Sequence, residues 1–292
     1  MMRRFGFSLS AAPGSRGKGA RLPERLVSLL EALAPLLPFA VTGALYELLR
    51  GVFRQHGPVH VGDLLALEQR FFSVPTSTGP RALSEVVAQH PHVLLDLWCG
   101  ATYLLFLIEI LAATLWLSLR WRSRAWELSI GFLIVNLLGW SVWIAYPAAP
   151  PWYADIFASR ATAPDVASNA AGLVRFDALV GLPLAESFYA KSADVFGAMP
   201  SLHVAYSTLV VWAVAPLGRR PLLAATIFAS SLAFSAVYLR HHYILDVLAG
   251  LLLALMVAAS LRAVRWLTVR RATVAALAGE LPLTLRERGG SP

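Results

Sequence analysis

A chain of 292 residues that is 57% hydrophobic and only 14% charged is far more apolar than a soluble domain of its size, and this composition makes it a polytopic membrane protein. The formal charge of +8 rests almost wholly on arginine, Lys18 and Lys191 being the only lysines; because the arginines gather in short connections, they are a topology signal and imply no nucleic-acid partner. Cys99 is the single cysteine, which excludes an intrachain disulfide.

Hydropathy predicts six transmembrane helices, at 26–49, 97–119, 126–146, 200–217, 221–240 and 243–262, in one all-α membrane domain over 26–266. Residues 1–25 carry six basic side chains and one acid among Gly, Ser and Pro, and read as a disordered cytoplasmic tail held by anionic lipid. The Arg3-Arg4-Phe5 run is not followed by the apolar stretch of an export signal. The first span is interrupted by Glu31, Pro35, Pro38 and Glu47. Between it and the second lies a long connection with His56, His60, His90 and His92. A metal site there would need the first pair on one helix face, and Gly57 and Pro58 break any such helix; the four read as solvated loop residues.

The second span carries Glu109, an intramembrane charge that marks either function or a hydrogen-bonded carboxyl facing the bundle, toward Asn136 of the third span. Gly131, Gly139 and Gly250 read as sites of close helix packing. After the third span, Tyr146-Pro147-Ala148-Ala149-Pro150-Pro151-Trp152-Tyr153 holds three prolines in five residues. These stop the helix and hold an extended stretch, with Trp152 and Tyr153 serving either as interfacial anchors or as a wall of a headgroup site. Residues 267–292 are expected to form a short basic cytoplasmic tail.

Arg120, Arg122 and Arg124, then Arg219 and Arg220, then Arg262, Arg265, Arg270 and Arg271 fall in alternate connections. The positive-inside rule places these and both termini in the cytoplasm, leaving 50–96, 147–199 and the turn at 240–243 outside. All seven histidines then lie on the outer side, although none entered the assignment.

Two histidine-bearing segments bracket the fourth and fifth spans: Phe196-Gly197-Ala198-Met199-Pro200-Ser201-Leu202-His203 and Tyr238-Leu239-Arg240-His241-His242-Tyr243-Ile244-Leu245-Asp246. Two helices of roughly 20 residues cross a ~30 Å hydrocarbon core and return, bringing His203 and His242 to one surface. Asp246, four residues after His242, shares its helix face and can accept the ring proton, leaving the other nitrogen free to attack. Pro200 and Ser201 set up a helix start, and a second helix begins near His242, so two N-termini with Arg240 form a candidate phosphate cradle.

These paired motifs resemble the type 2 phosphatidic acid phosphatase superfamily. Its second signature, Pro-Ser-Gly-His, falls on Pro200 to His203, and its third, Ser-Arg-X5-His-X3-Asp, on Ser235, His242 and Asp246. The chain departs from it at Leu202 and Ala236, which replace the signature Gly and Arg, and no Lys-X6-Arg-Pro precedes His203. The segment Phe196 to His203, the His241-His242-Tyr243 run and Ala149 to Tyr153 are similar to the inositol phosphorylceramide synthase branch, with a weaker match at His60 to Phe72 and Asp96. The resemblance implies a six-helix bundle and transfer of phosphoinositol from a phospholipid donor to a ceramide-like hydroxyl acceptor on the outer side, with release of diacylglycerol. His242 is the expected nucleophile, Asp246 its orienter and His203 the acid and base. Arg240, Ser201, His241, Trp152 and Tyr153 are expected to bind substrate, and no metal or cofactor is required. Loss of two cations suits a diester with one charge better than a monoester with two. A lipid or polyprenyl phosphate phosphatase is the alternative, and a scaffold without chemistry is a third, which the intact His203, His242 and Asp246 disfavour.

Overall fold

A computed structural model describes residues 23–54, 57–157, 166–192 and 194–280. The expected N-terminal tail falls outside these residues apart from its last three positions, as do His56 and residues 281–292.

The chain begins with α1 (Glu24–Leu33), a 3-10 turn at Ala34–Leu36 and α2 (Leu37–Arg54). Pro35 has no N–H to donate, and it sits where the helix tightens into that turn. There follow α3 (Gly62–Phe72), an antiparallel hairpin of β1 (Ser73–Thr76) and β2 (Gly79–Ala82), and α4 (Leu83–Ala88). Next come α5 (Val93–Leu104), α6 (Phe106–Ser118) and α7 (Arg122–Ala145). Three short helices, α8 (Pro151–Phe157), α9 (Leu173–Val180) and α10 (Leu184–Tyr189), occupy the connection to α11 (Leu202–Val214). The chain continues through α12 (Arg219–Tyr238) to α13 (Ile244–Glu280).

The protein is a largely helical integral membrane protein, but six spans are not what the helices display. Among the described residues, four helical segments are long and apolar enough to cross a membrane: Glu24–Phe53, Arg122–Ala145, Arg219–Tyr238 and Ile244–Val274. A fifth exists if α5 and α6, bent by 52° at Leu105, act as one. The apolar helix at Leu202–Leu217 is shorter than the rest. At 1.5 Å per residue it reaches about 24 Å, less than a hydrocarbon core. Its length is set by Pro200 and Pro216, and its surroundings are protein: ten of the thirteen residues of α11 are buried. Two further differences concern the ends. The second expected span starts earlier, at Val93, and α13 runs on to Glu280 through much of the expected C-terminal tail.

α11 is the central helix. Leu202, Ala205, Tyr206, Leu209 and Ala213 pack with Phe132 and Val135 of α7 and with Leu253, Ala254 and Val257 of α13. Close approach requires glycine at two places: a Cβ on Gly139 would meet Leu202 Cδ2 at 2.6 Å, and one on Gly250 would overlap the carbonyl oxygen of Ser201. Together these contacts fix the start of α11 against both neighbours. Glu109 faces the bundle as expected, but its carboxylate accepts from Ser207 of α11, while Asn136 accepts from Tyr206 at 2.7 Å.

The arginine-rich ends cluster. Arg265 on α13 pairs with Glu127 of α7 at 3.0 Å, and Arg122 pairs with Glu31 of α1 at 3.1 Å. At the opposite end, connecting segments lie side by side through bridges of His60 to Ala148 and Ala148 to Gly197. The backbone N–H groups of His60, Ala148, Ala149 and Ala198 close this layer. The proline-rich stretch is thus an interior element of a cap over the bundle.

Candidate active site

The first turn of α11 and the turn between α12 and α13 bring His203 and His242 together. Leu239 closes α12 by donating to Ser235, and the N–H groups of His241 and His242 both donate to the carbonyl of Ala236, at 3.1 and 3.0 Å. Arg240 takes the left-handed conformation, φ +64°. That costs a non-glycine residue about 1–2 kcal/mol. The turn is held from outside by the N–H of Trp152, which donates to the Arg240 carbonyl at 3.1 Å.

His242 is buried, and its Nδ1 lies 2.8 Å from the carbonyl oxygen of Ala198. A carbonyl can only accept, so Nδ1 carries the proton and Nε2 keeps the lone pair. Nε2 faces His203 Nδ1 at 3.4 Å, and the same His203 nitrogen lies 3.4 Å from the hydroxyl of Tyr103. Tyr103 also stacks on His203, with ring centroids 4.6 Å apart.

Asp246 Oδ2 lies 3.7 Å from His242 Nδ1, beyond a hydrogen bond, and instead accepts the backbone N–H of Tyr243 at 2.8 Å. Oδ1 is buried without a hydrogen-bond partner among the described residues. The helix beginning beyond His242 is also not the open anion site expected. Glu68, fully buried on α3, accepts from the N–H groups of Ile244 and Leu245 at 3.2 and 3.4 Å, so carboxylates already occupy the α13 N-terminus.

A cavity of about 600 Å³ opens beside the histidine pair. His203, His241, His242, Tyr103 and Trp152 line it, whereas Arg240, Ser201, Asp246 and Tyr153 are not among its lining residues. Arg240 forms a two-point ion pair with Asp155 of α8, its Nε at 2.8 Å from Oδ2, while its Nη1 is buried without a hydrogen-bond partner among the described residues. The Ser201 side chain makes no cap hydrogen bond; its hydroxyl is buried and its backbone holds the junction with Asp246 and Gly250. Tyr153 packs edge-on against Phe196 within the cap. His241 is sandwiched between Tyr103 and Tyr189, at 4.9 and 4.7 Å, with Nε2 at 3.2 Å from the carbonyl of Ala170. Burial, then the neighbouring His242, push its pKa down to about 3, so the ring stays neutral.

The remaining described histidines make local contacts: His60 stacks on Tyr146 and bonds Asp63 at 2.7 Å, His90 Nδ1 lies 2.9 Å from the Val86 carbonyl, and His92 caps α5 through the N–H of Leu94. Asp96 joins three helices, accepting from Arg175 of α9 at 2.7 Å and from the Tyr238 hydroxyl at 2.9 Å.

With two facing imidazoles on a largely apolar cavity at one end of a membrane bundle, the geometry suits phosphoryl transfer on a lipid. The sequence model of the PAP2 superfamily matches residues 63–260, most of the chain and both histidine segments. The chain belongs to the PAP2 superfamily. It is the type 2 phosphatidic acid phosphatase group to which the motifs pointed, and within it the chain is an enzyme of the inositol phosphorylceramide synthase-like branch. It is 33% identical over 225 residues to the phosphoinositol dihydroceramide synthase of Bacteroides thetaiotaomicron, spanning 76% of this chain and 73% of that protein. To the inositol phosphorylceramide synthase of Candida albicans it is 34% identical over 134 residues, 46% of this chain and 28% of the relative. The catalytic subunit AUR1 of the Saccharomyces cerevisiae enzyme is 32% identical over 125 residues, 42% of this chain and 31% of that subunit. The chain therefore aligns with under a third of each fungal protein. No solved structure matches this PAP2 protein.

Three features of this PAP2 site were not read from the sequence. Ala198 presents a backbone carbonyl, which no side-chain motif announces. Tyr103 lies far from both motifs, in a span legible only as apolar. Asp194, on the loop before α11, lines the cavity with one carboxylate oxygen buried and without a partner among the described residues, and burial pushes its carboxyl up to about 7 despite a bond from the Phe196 N–H.

Proposed function

We propose that the protein moves phosphoinositol from a glycerophospholipid to the hydroxyl of a ceramide-like lipid, releasing diacylglycerol, on the outer face of its membrane. The observation that carries this reading is the His242 imidazole: its Nδ1 donates to Ala198 at 2.8 Å while its Nε2, at the cavity, faces His203 Nδ1 at 3.4 Å. The name and extent of the bacterial relative supply the headgroup and acceptor class.

Nε2 of His242 attacks phosphorus, forming a P–N bond as the P–O bond to diacylglycerol breaks. His203, in its protonated form, gives its proton to the departing glycerol oxygen. The ceramide hydroxyl then attacks, its proton passing to His203 as the P–N bond breaks and His242 is restored. The two rings stand too close for phosphorus to lie between them, so the lipid phosphate enters beside them from the cavity. Asp246, at 3.7 Å, favours the positive charge that develops on the His242 ring. Phe39, Ala40, Leu107 and Leu111 line the apolar part of the cavity and suit acyl chains.

With the α13 N-terminus occupied by Glu68 and no arginine or lysine among the described residues that line the cavity, little positive charge is at hand to hold a dianion. That supports a phosphodiester donor over a phosphomonoester. Proteoliposomes supplied with phosphatidylinositol, with and without ceramide, test this against phosphatidic acid. Ceramide-dependent diacylglycerol release from phosphatidylinositol is expected; hydrolysis of phosphatidic acid alone, indifferent to ceramide, would make the protein a phosphatase.

A further inference from the structure

The loop before α11 carries a second polar constellation that the transfer chemistry does not use. Oδ1 of Asp194 is pinned by the N–H of Phe196 at 2.9 Å, which leaves Oδ2 buried with no hydrogen-bond partner among the described residues. Nε1 of Trp143, near the end of α7, is likewise buried and unpartnered. Both residues line the cavity, and both crowd the same point: a Cβ placed on Gly197 would overlap Asp194 Oδ2 and meet the Trp143 ring at 2.8 and 2.9 Å. Gly197 is what lets them approach. The next residue is Ala198, whose carbonyl holds His242, so this constellation sits one residue along the backbone from the support of the proposed nucleophile.

A buried acceptor and a buried donor left unpaired within a native cavity call for a ligand that satisfies both. The ionised form of Asp194 repels an anion, which disfavours the phosphate here. An ammonium headgroup would satisfy Asp194 but offers nothing to the indole N–H, which only donates. A hydroxyl both donates and accepts, and neighbouring hydroxyls on a ring can meet the two groups at once. Ser168 and Ser192 add further hydroxyls to the lining, and Trp152 adds an apolar face for ring C–H groups.

Resting on the transfer reading above, we propose that Asp194 and Trp143 form the subsite that recognises the polyol headgroup of the donor lipid. Asp194 accepts from one ring hydroxyl, Trp143 donates to another, and the phosphate is thereby presented to His242. These two residues, not the histidines, set headgroup choice.

The test uses the full-length protein in detergent micelles with glycerophosphoinositol as a soluble probe and glycerophosphocholine as control. Calorimetry is expected to detect binding of the first, weakened about 10- to 100-fold by Asp194→Asn and less by Trp143→Phe, the range for a hydrogen bond to a charged group. In the transfer assay Asp194→Asn is expected to raise KM for phosphatidylinositol by a similar factor with a smaller change in kcat. Thermal unfolding of each variant identifies any that fail to fold. If the wild type transfers phosphoinositol while folded Asp194→Asn binds probe and substrate as well as wild type, the subsite is wrong and the function stands. Tighter binding of glycerophosphocholine by the wild type also overturns it. Asp194-dependent binding of the inositol probe without transfer to ceramide supports the subsite and removes the transfer reading instead.

Discussion

Nδ1 of His242 is held by the carbonyl oxygen of Ala198 at 2.8 Å, closer than the 3.7 Å that separates it from the Asp246 carboxylate. The tautomer required for attack is therefore set first by the backbone. Asp246 contributes charge and caps Tyr243. His242→Ala is expected to abolish turnover, whereas Asp246→Asn, which keeps an acceptor for the Tyr243 N–H, should lose about 10- to 10²-fold, at or below the lower end of the range for acid-base groups. Initial rates in proteoliposomes check this; a loss in Asp246→Asn equal to that in His242→Ala would restore the carboxylate as the orienting group.

Glu68 closes the α13 N-terminus from α3 and is not among the cavity-lining residues. Glu68→Ala strands two part-buried N–H groups, at a cost of about 1 kcal/mol or somewhat more. The expected result is a lower thermal midpoint in detergent, an intermediate effect for Glu68→Gln, which retains one acceptor, and an unchanged KM for donor lipid. A changed KM with an unchanged midpoint would assign Glu68 to substrate binding.

The legible part of the site was its pair of histidines, because antiparallel apolar segments of similar length must return a motif at one end to the level of a motif at the other. What remained hidden depended on partners from elsewhere in the chain. Nothing in the sequence announces that Asp155 of α8 takes up Arg240, or that Glu68 of α3 caps α13. The 52° bend at Leu105 has neither proline nor glycine to announce it, yet it places Tyr103, Phe106 and Leu107 on the cavity. The intramembrane Glu109 was legible only as either a functional charge or a carboxyl bonded toward Asn136; it accepts from Ser207, since side-chain pairing across helices depends on rotation that hydropathy does not encode. Six spans were expected from six apolar stretches; the one at 200–217 folds as the shorter helix Leu202–Leu217, ten residues of which are buried among its neighbours.

The donor subsite carries a pH signature. Burial pushes the Asp194 carboxyl up to about 7, with the Phe196 N–H opposing, so the ionised acceptor is lost as pH falls through that value. Hydroxyl donors favour the ionised form and move the transition lower in the complex. The KM for phosphatidylinositol is expected to rise below about pH 7, approaching tenfold per unit. Because His203 and His242 also face the cavity, the comparison is with Asp194→Asn, whose KM profile should lack this step. An identical step in the variant would assign the titration to the histidines.

We expect the site to face outward, because the arginine-rich ends, which the positive-inside rule assigns to the cytoplasm, lie at the opposite end of the bundle. In a Cys99→Ala background, Ser187→Cys on α10 and Ser123→Cys at the start of α7 are both exposed positions. An impermeant thiol reagent applied to intact cells is expected to label the first alone. Labelling of Ser123→Cys alone would invert the topology.

The proposed transfer requires a covalent intermediate on His242 that passes its headgroup to ceramide. Purified protein mixed with phosphatidylinositol labelled in the inositol ring, without acceptor, should release up to one equivalent of diacylglycerol and retain label on the peptide containing His242. Added ceramide should then chase that label into the phosphoinositol sphingolipid. Formation of the labelled sphingolipid by the His242→Ala variant, or by wild type with no protein-bound label at any time, would contradict the account.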